Sequence, residues 1–208
     1  MLKLSAALAL LFLMAAGAAA SPHTLLALGD SLTAGLGLGP ADAFPARLEA
    51  ALKARGHDVK VINAGVSGDT AADGAARLDW ALSEPVSAVI VELGANDALR
   101  GLPVAQAEQA LDQLLTALEQ KKLPVLLAGM KAPPNMGAGY QQTFDGMYQR
   151  LAAKHPGVQL YPFFLDGVAA DPKLNQGDGM HPNPAGVDVI VARMLPSVEQ
   201  LLGTAAGN

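Results

Sequence analysis

The chain contains no cysteine among its 208 residues. Disulfide bonds and a thiol nucleophile are therefore both excluded. Lipid attachment through a cysteine is excluded for the same reason. Without disulfide bonds, the folded chain must be stabilised by its hydrophobic core alone.

Aromatic and charged residues are also scarce. Aromatic residues make up 4% of the chain and charged residues 16%, with 14 basic against 19 acidic side chains. No basic stripe of the kind that nucleic-acid-binding proteins present is visible, so we expect no nucleic-acid partner. Hydrophobic residues reach 51%, which excludes general disorder and predicts a sizeable core built from Ala, Leu and Val.

Residues 1–20 have the pattern of a secretory signal peptide. Lys3 precedes an apolar stretch over residues 4–16, and three alanines at 18–20 form an A-x-A cleavage site before Ser21. The alternatives are a permanent N-terminal anchor and a buried helix, but the stretch is shorter than the roughly 20 residues that span a bilayer. We therefore expect residues 1–20 to be removed. Residues 21–208 would then form one periplasmic or secreted domain without a stable membrane anchor.

Short apolar runs alternate with helical patterns along the remaining chain. Apolar residues at helical spacing predict helices, the first with Asp42 as its N-cap and Gly56 after its end. Strands and helices that alternate in this way predict a three-layer α/β sandwich with a parallel sheet between helices. The predicted strands are 25–28, 59–62, 86–93, 125–128 and 158–161, and the predicted helices are 44–52, 70–82, 104–118, 140–151 and 184–198.

Polar residues follow four of the five predicted strands. They stand in the segments 29–32 (GDSL), 67–70 (SGDT), 94–97 (GAND) and 178–182 (DGMHP). Ligands of open α/β sheets bind beyond the carboxyl ends of the strands, so we expect these four segments to meet at one edge.

The residue types in these segments are those that acyl transfer requires. A serine hydroxyl such as Ser31 attacks a carbonyl only when a nearby imidazole takes its proton, and His181 can supply that imidazole. Asp178 lies three residues before His181 and can hold the ring in the required tautomer. Asn96 and the backbone of Gly68 can donate hydrogen bonds to the developing oxyanion.

The four motifs together resemble the SGNH (GDSL) hydrolase superfamily, in matching order and approximate spacing. Within it, the chain resembles the bacterial periplasmic thioesterase I, lysophospholipase and arylesterase subgroup. The resemblance implies a flavodoxin-like five-stranded sheet in the order 2-1-3-4-5. It also implies Ser31 as nucleophile and oxyanion donor, Gly68 and Asn96 as further oxyanion donors, His181 as base, and no cofactor.

Several other residues have structural explanations. His23, His57 and His155 are expected to be solvated. Glu92 at a strand end is expected to be a buried, hydrogen-bonded carboxylate. Asp30, Asp69, Asp97 and Asp178 could in principle bind a metal, but each has a turn role and none has metal-ligand spacing, so we expect no metal.

The sequence predicts the type of reaction more specifically than the substrate. Leu99, Leu102, Pro133, Pro134 and Met136 lie in two loops near the site and could line an apolar acyl or aryl pocket, or could simply belong to surface loops. We expect a monomeric serine esterase acting on acyl or aryl esters, lysophospholipids and thioesters. A carbohydrate O-acetylesterase and a non-catalytic acyl- or glycan-binding protein remain as alternatives.

Overall fold

The computed structural model describes residues 23–206, and these residues form a parallel sheet covered by helices. The five strands of the sheet lie in the order β2-β1-β3-β4-β5, and every neighbouring pair is parallel. The predicted fold class and strand order are therefore confirmed. The strands are β1 (His23–Gly29), β2 (Val59–Gly65), β3 (Ala88–Glu92), β4 (Val125–Ala128) and β5 (Val158–Tyr161).

The helices form two groups. Helices α2 and α9 pack on each other, with α2 against β2 and α9 against β3, β4 and β5, while α3, α6, α7 and α8 pack among themselves. The helices are α1 (Ser31–Ala34), α2 (Phe44–Ala54), α3 (Ala71–Ala76), α4 (Leu78–Ala81), α5 (Ala95–Leu99), α6 (Val104–Gln120), α7 (Ala138–Asp145), α8 (Met147–Lys154) and α9 (Pro184–Ala206). Short 3-10 turns occupy Pro40–Asp42 and Pro134–Met136.

The central strands are buried on both faces. Every residue of β3 and β4 is buried, and β4 and the first four residues of β3 are apolar, because a strand between two helical layers has no solvent side. Strand β2 lies at the sheet edge and keeps exposed positions such as Lys60 and Asn63.

The predicted helix over 70–82 is wrong in its continuity. The chain forms α3 and α4 instead, and Arg77 between them has a non-helical backbone. The side chain of Arg77 turns inward, where it binds the carbonyl of Gly29 at 2.9 Å and the carboxylate of Asp69 at 2.5 Å. These contacts form between distant segments, and the local apolar pattern carries no sign of them.

Two smaller expectations also differ. The predicted helix over 140–151 divides into α7 and α8 at Gly146. Asp42 does not cap α2, because it belongs to the preceding 3-10 turn and binds Arg47 at 2.6 Å. Ala43 occupies the N-cap position without a side-chain hydrogen bond.

The predicted signal peptide, residues 1–20, lies outside the described residues. Among the helices of residues 23–206, none combines the length and the apolar character needed to cross a bilayer.

Candidate active site

The structure brings the predicted site residues to one edge of the sheet. Ser31 begins α1 directly after β1, Gly68 lies in the loop after β2, and Asn96 lies in α5 just after β3. His181 and Asp178 lie in the loop before α9. The hydroxyl of Ser31 reaches His181 although 150 residues separate the two in sequence.

Three side chains form a continuous hydrogen-bonded line. Ser31 Oγ lies 2.9 Å from His181 Nε2, and His181 Nδ1 lies 2.6 Å from Asp178 Oδ2. The second distance is short, as expected for a bond between an imidazole and an ionised carboxylate. With Nδ1 donating to Asp178, Nε2 of a neutral ring is free to accept the proton of Ser31.

The loop that carries Asp178 is held by its own backbone. Asp178 Oδ1 accepts the N–H groups of Met180 and His181 at 2.9 and 3.0 Å. These two backbone bonds and then the bond from the His181 ring lower the pKa of Asp178 from 3.8 to about 2. Gly179 has φ +72°, a conformation that glycine adopts without strain, which lets the carboxylate turn back against the ring.

The base of the same loop is closed by Gln176. Its N–H donates to the carbonyl of His181 at 2.7 Å, and its side-chain amide donates to the carbonyls of Leu36 and Pro182 at 2.8 and 2.9 Å. Leu36 follows α1, so Gln176 connects the loop of His181 to the segment of Ser31. The distance between base and hydroxyl is therefore set by a contact that the local sequence does not reveal.

Asn96 already uses both hydrogens of its side-chain amide. Nδ2 donates to Asp30 Oδ2 at 3.0 Å and to the carbonyl of Asp69 at 3.0 Å. Within residues 23–206 the backbone N–H groups of Ser31 and Gly68 make no hydrogen bond. Two unengaged backbone donors and one engaged amide therefore lie near the serine.

The loop of Gly68 is braced from the neighbouring segment. Arg100, after α5, donates to the carbonyl of Gly68 at 2.7 Å. Gly68 has φ +90°, so any side chain here would strain the backbone. Sequence reasoning misses Arg100 and Arg77, since both act on backbone carbonyls of distant loops. A charged residue next to a predicted site loop is the signal that could have indicated Arg100.

Two buried carboxyl groups adjoin the site. Asp30 is 1% exposed and also caps α1, accepting the N–H of Leu32 at 2.9 Å. Glu92 is fully buried, as expected, and Thr33 donates to its Oε2 at 2.8 Å. Burial raises the pKa of Asp30 to about 6. Burial, together with the charge of Asp30, raises the pKa of Glu92 well above its ordinary range.

The two predicted apolar loops lie beside each other. Tyr140 donates to the carbonyl of Leu102 at 2.9 Å, and the methyl of Met136 lies 3.2 Å from where a Cβ on Gly101 would be. Leu99 is 52% exposed, Pro134 is exposed, and Leu102, Pro133 and Met136 are half-buried.

The expectation that His155 is solvated is wrong. Its ring is buried between Glu119 and Asp112, each 2.9 Å away. His57 is half-buried and lies 3.0 Å from Glu199.

The acidic residues considered for a metal have other partners. Asp30 binds Leu32 and Asn96, Asp69 binds Arg77, and Asp97 Oδ2 accepts the N–H of Ala71 at 2.8 Å. Among residues 23–206, no three histidine or acidic side chains are grouped for metal binding.

The chain is similar to several known proteins. Esterase TesA of Pseudomonas aeruginosa is 40% identical over 202 residues, covering 97% of this chain and 98% of that protein. The thioesterase 1/protease 1/lysophospholipase L1 of Escherichia coli K12 is 38% identical over 185 residues, covering 88% and 87%. The crystal structure of AlinE4, an SGNH-hydrolase family esterase, matches with a TM-score of 0.74 at 47% identity, covering 89% of this chain and 99% of that one.

A family model matches residues 27–189, which include every predicted site residue. The resemblance drawn from the four sequence motifs is thereby confirmed. The chain belongs to the GDSL-like lipase/acylhydrolase family.

Proposed function

We propose that this protein hydrolyses carboxylic esters through an acyl-enzyme formed on Ser31. The observation that carries the proposal is the line from Ser31 Oγ to His181 Nε2 to Asp178, with distances of 2.9 and 2.6 Å. His181 accepts the serine proton as Oγ attacks the ester carbonyl, and then gives it to the leaving alcohol. Water, activated by the same ring, releases the acid. Asp178 stays ionised and holds the tautomer.

The oxyanion of the tetrahedral intermediate needs hydrogen-bond donors. Three groups in the segments that follow β1, β2 and β3 can supply them. The backbone N–H groups of Ser31 and Gly68 have no other partner among the described residues. Asn96 must release one of its two bonds to contribute. The bond to the Asp69 carbonyl is the one to exchange, because a neutral acceptor binds an amide less strongly than the Asp30 carboxylate does.

The loops beside the site support a choice of substrate class. The partly exposed Leu99, Leu102, Pro133, Pro134 and Met136 offer an apolar surface for an acyl or aryl group. We propose acyl and aryl esters, lysophospholipids and thioesters as substrates of a monomeric enzyme. Removal of residues 1–20 would release this enzyme into the periplasm or medium.

A fluorophosphonate that reacts only with activated serines tests the nucleophile. The wild-type protein should be labelled and Ser31→Ala should not, while both unfold at the same temperature. Ser67→Ala is the matched control, because Ser67 is an exposed hydroxyl at the same edge of the sheet. Labelling of folded Ser31→Ala at the wild-type rate would refute the assignment.

A panel of p-nitrophenyl esters of increasing acyl length tests the substrate. An apolar acyl site predicts that kcat/KM rises with chain length beyond acetate. Preference for acetate, together with activity on acetylated sugars, would instead support a carbohydrate O-acetylesterase.

A further inference from the structure

Asp30 and Glu92 present an unusual electrostatic problem beside the site. Their exposures are 1% and 0%, and neither carboxyl group is bonded to a lysine, arginine or histidine among the described residues. The guanidinium of Arg77 binds Asp69 through Nε and the carbonyl of Gly29 through Nη2, and its buried Nη1 makes no hydrogen bond to either carboxyl group among the described residues. Two ionised carboxylates buried together without a counter-ion would be strongly unfavourable.

The hydrogen-bond donors around the two groups are unequally distributed. Asp30 receives one donor at each oxygen, the N–H of Leu32 at Oδ1 and the amide of Asn96 at Oδ2. Glu92 receives the Thr33 hydroxyl at Oε2, whereas Oε1 is buried and has no partner within residues 23–206. A proton on Asp30 would displace one of its donors, but a proton on Glu92 Oε1 displaces none.

We propose that Glu92 is protonated while Asp30 is ionised, and that this pair of carboxyl groups positions the amide of Asn96. The inference rests on the proposed function, since Asn96 is there an oxyanion donor. The raised pKa of Glu92, due to burial and then to the charge of Asp30, agrees with the placement of the proton. The other ionisable groups nearby are His181, whose charge lowers the pKa of Asp30, and Tyr148, which donates to the carbonyl of Leu93.

The pair acts on catalysis through geometry. With Glu92 neutral, Asp30 remains an ionised acceptor at both oxygens and holds one hydrogen of Asn96 by a charge-assisted bond. The first hydrogen is then held in place, and a small rotation of the amide about that bond turns the second hydrogen from the Asp69 carbonyl to the oxyanion. Asp30 is therefore a positioning residue, and the same carboxylate also caps the helix that begins with Ser31.

A double-mutant cycle between Asp30 and Asn96 tests this coupling. The amide introduced by Asp30→Asn has one acceptor oxygen for two donors, so this change should lower kcat about 10- to 100-fold with little change in KM. In the Asn96→Ala background the same change should alter kcat by less than about twofold, because the one oxygen of the introduced amide then has only the N–H of Leu32 to accept. Equal losses in both backgrounds would refute the positioning role.

Glu92→Gln tests where the proton resides. The introduced amide is neutral and can accept the Thr33 hydroxyl through its oxygen, so the variant removes the carboxylic acid and keeps the Thr33 contact. At neutral pH, infrared spectra of wild-type protein should contain the C=O stretch of a protonated carboxylic acid, which Glu92→Gln lacks. Absence of that difference would overturn the proposal even if Asp30→Asn failed to fold.

Asp97→Asn is the matched control, because it neutralises another buried carboxyl next to Asn96 in the chain. The introduced side-chain oxygen can still accept the N–H of Ala71, so kcat should not change. A loss equal to that of Asp30→Asn would show a general effect of removing charge and refute the specific one. Ser31→Ala distinguishes failure of the proposed function from failure of the positioning role. Turnover by this variant would refute the proposed function. If Ser31→Ala is inactive but the losses of kcat in the Asp30 and Asn96 variants are additive, only the positioning role is refuted.

Discussion

Two histidines of this molecule, His181 and His155, both bind carboxylates yet differ in the partner of the second ring nitrogen. His181 binds Asp178 through Nδ1 at 2.6 Å and meets the hydroxyl of Ser31 at Nε2. A neutral imidazole satisfies both contacts, since it donates at one nitrogen and accepts at the other. The ring can thus take up a proton when the serine attacks.

His155 has no such freedom. Nδ1 lies 2.9 Å from Glu119 and Nε2 lies 2.9 Å from Asp112, so both nitrogens face acceptors. Only the imidazolium can donate to both. Burial lowers the pKa of His155, but the bonds to Glu119 and then Asp112 outweigh it and raise the pKa above 6.5.

The comparison shows that a carboxylate beside a histidine does not by itself make a catalytic base. The partner of the second ring nitrogen determines the protonation state of the ring. A hydroxyl group leaves the ring able to accept a proton, whereas a second carboxylate keeps the ring charged. His155 connects α6 to the end of α8, away from the sheet edge of Ser31, so we assign it to stability.

The largest difference expected between substitutions of the two histidines is in catalytic activity. His181→Gln removes the proposed base in contact with Ser31 and should lower kcat by at least about 10⁴-fold. His155→Gln is the matched substitution and should leave kcat unchanged at a temperature where it is folded. Ester hydrolysis measured on both purified variants gives the answer. A comparable loss in both would remove the distinction between the two sites.

The next largest difference is expected between substitutions of the carboxylates that bind the two histidines, Asp178 and Asp112. Asp178→Asn keeps the shape but no longer enforces the tautomer of His181, so kcat should fall about 10²- to 10⁴-fold, the upper end being the loss found in serine proteases with the same triad arrangement. Asp112→Asn, which alters the partner of His155, should leave kcat at the wild-type level. Steady-state kinetics distinguish the outcomes, and an active Asp178→Asn would leave Ser31 and His181 as a dyad.

The strands and the loops that follow them could be predicted because their signals are local. Apolar runs such as those of β1 and β3 end at Gly29 and just before Gly94, and parallel strands bring the following loops to one edge. The order of the strands came from the family resemblance. The positions of Ser31 and His181 could therefore be anticipated together with the sheet.

The support around these residues could not be predicted, because it depends on side chains that reach distant backbone. Arg77 binds Gly29 from 48 positions away, and Gln176 binds Leu36 from 140 positions away. Asp30 resembles an ordinary helix cap in sequence, and only the fold shows that its second oxygen holds Asn96. Burial of His155 likewise depends on how α6 and α8 pack.

A smaller effect is expected on stability. His155→Gln removes a charged donor from between two carboxylates and should lower the free energy of unfolding by about 1–3 kcal/mol. For a domain of this size the corresponding fall in Tm is roughly 2–10 °C. Thermal unfolding followed by circular dichroism measures it. His181→Gln changes a side chain that is 17% exposed, against 4% for His155, and should unfold within about 2 °C of wild type. A larger fall than that of His155→Gln would reverse the assignment.

The smallest effect is the pH dependence of that stability difference. The folded-state pKa of His155 is raised, so its contribution is fully present below the ordinary value of 6.5 and is lost as pH rises through the raised value. Asp112 has the opposite pH dependence, because its pKa is lowered, first by Lys154 and then by His155. Its contribution to stability is present above its ordinary pKa of 3.8 and is lost as pH falls through the lowered value. The Tm gap between wild type and His155→Gln should therefore be largest between about pH 4 and 6.5 and should narrow in alkali.

Glu119→Gln leaves the ring one carboxylate, so in this background the gap should begin to narrow at a lower pH. A gap that stays constant from pH 5 into alkali would mean that His155 is neutral in the folded protein, and the contrast with His181 would then have to rest on burial alone.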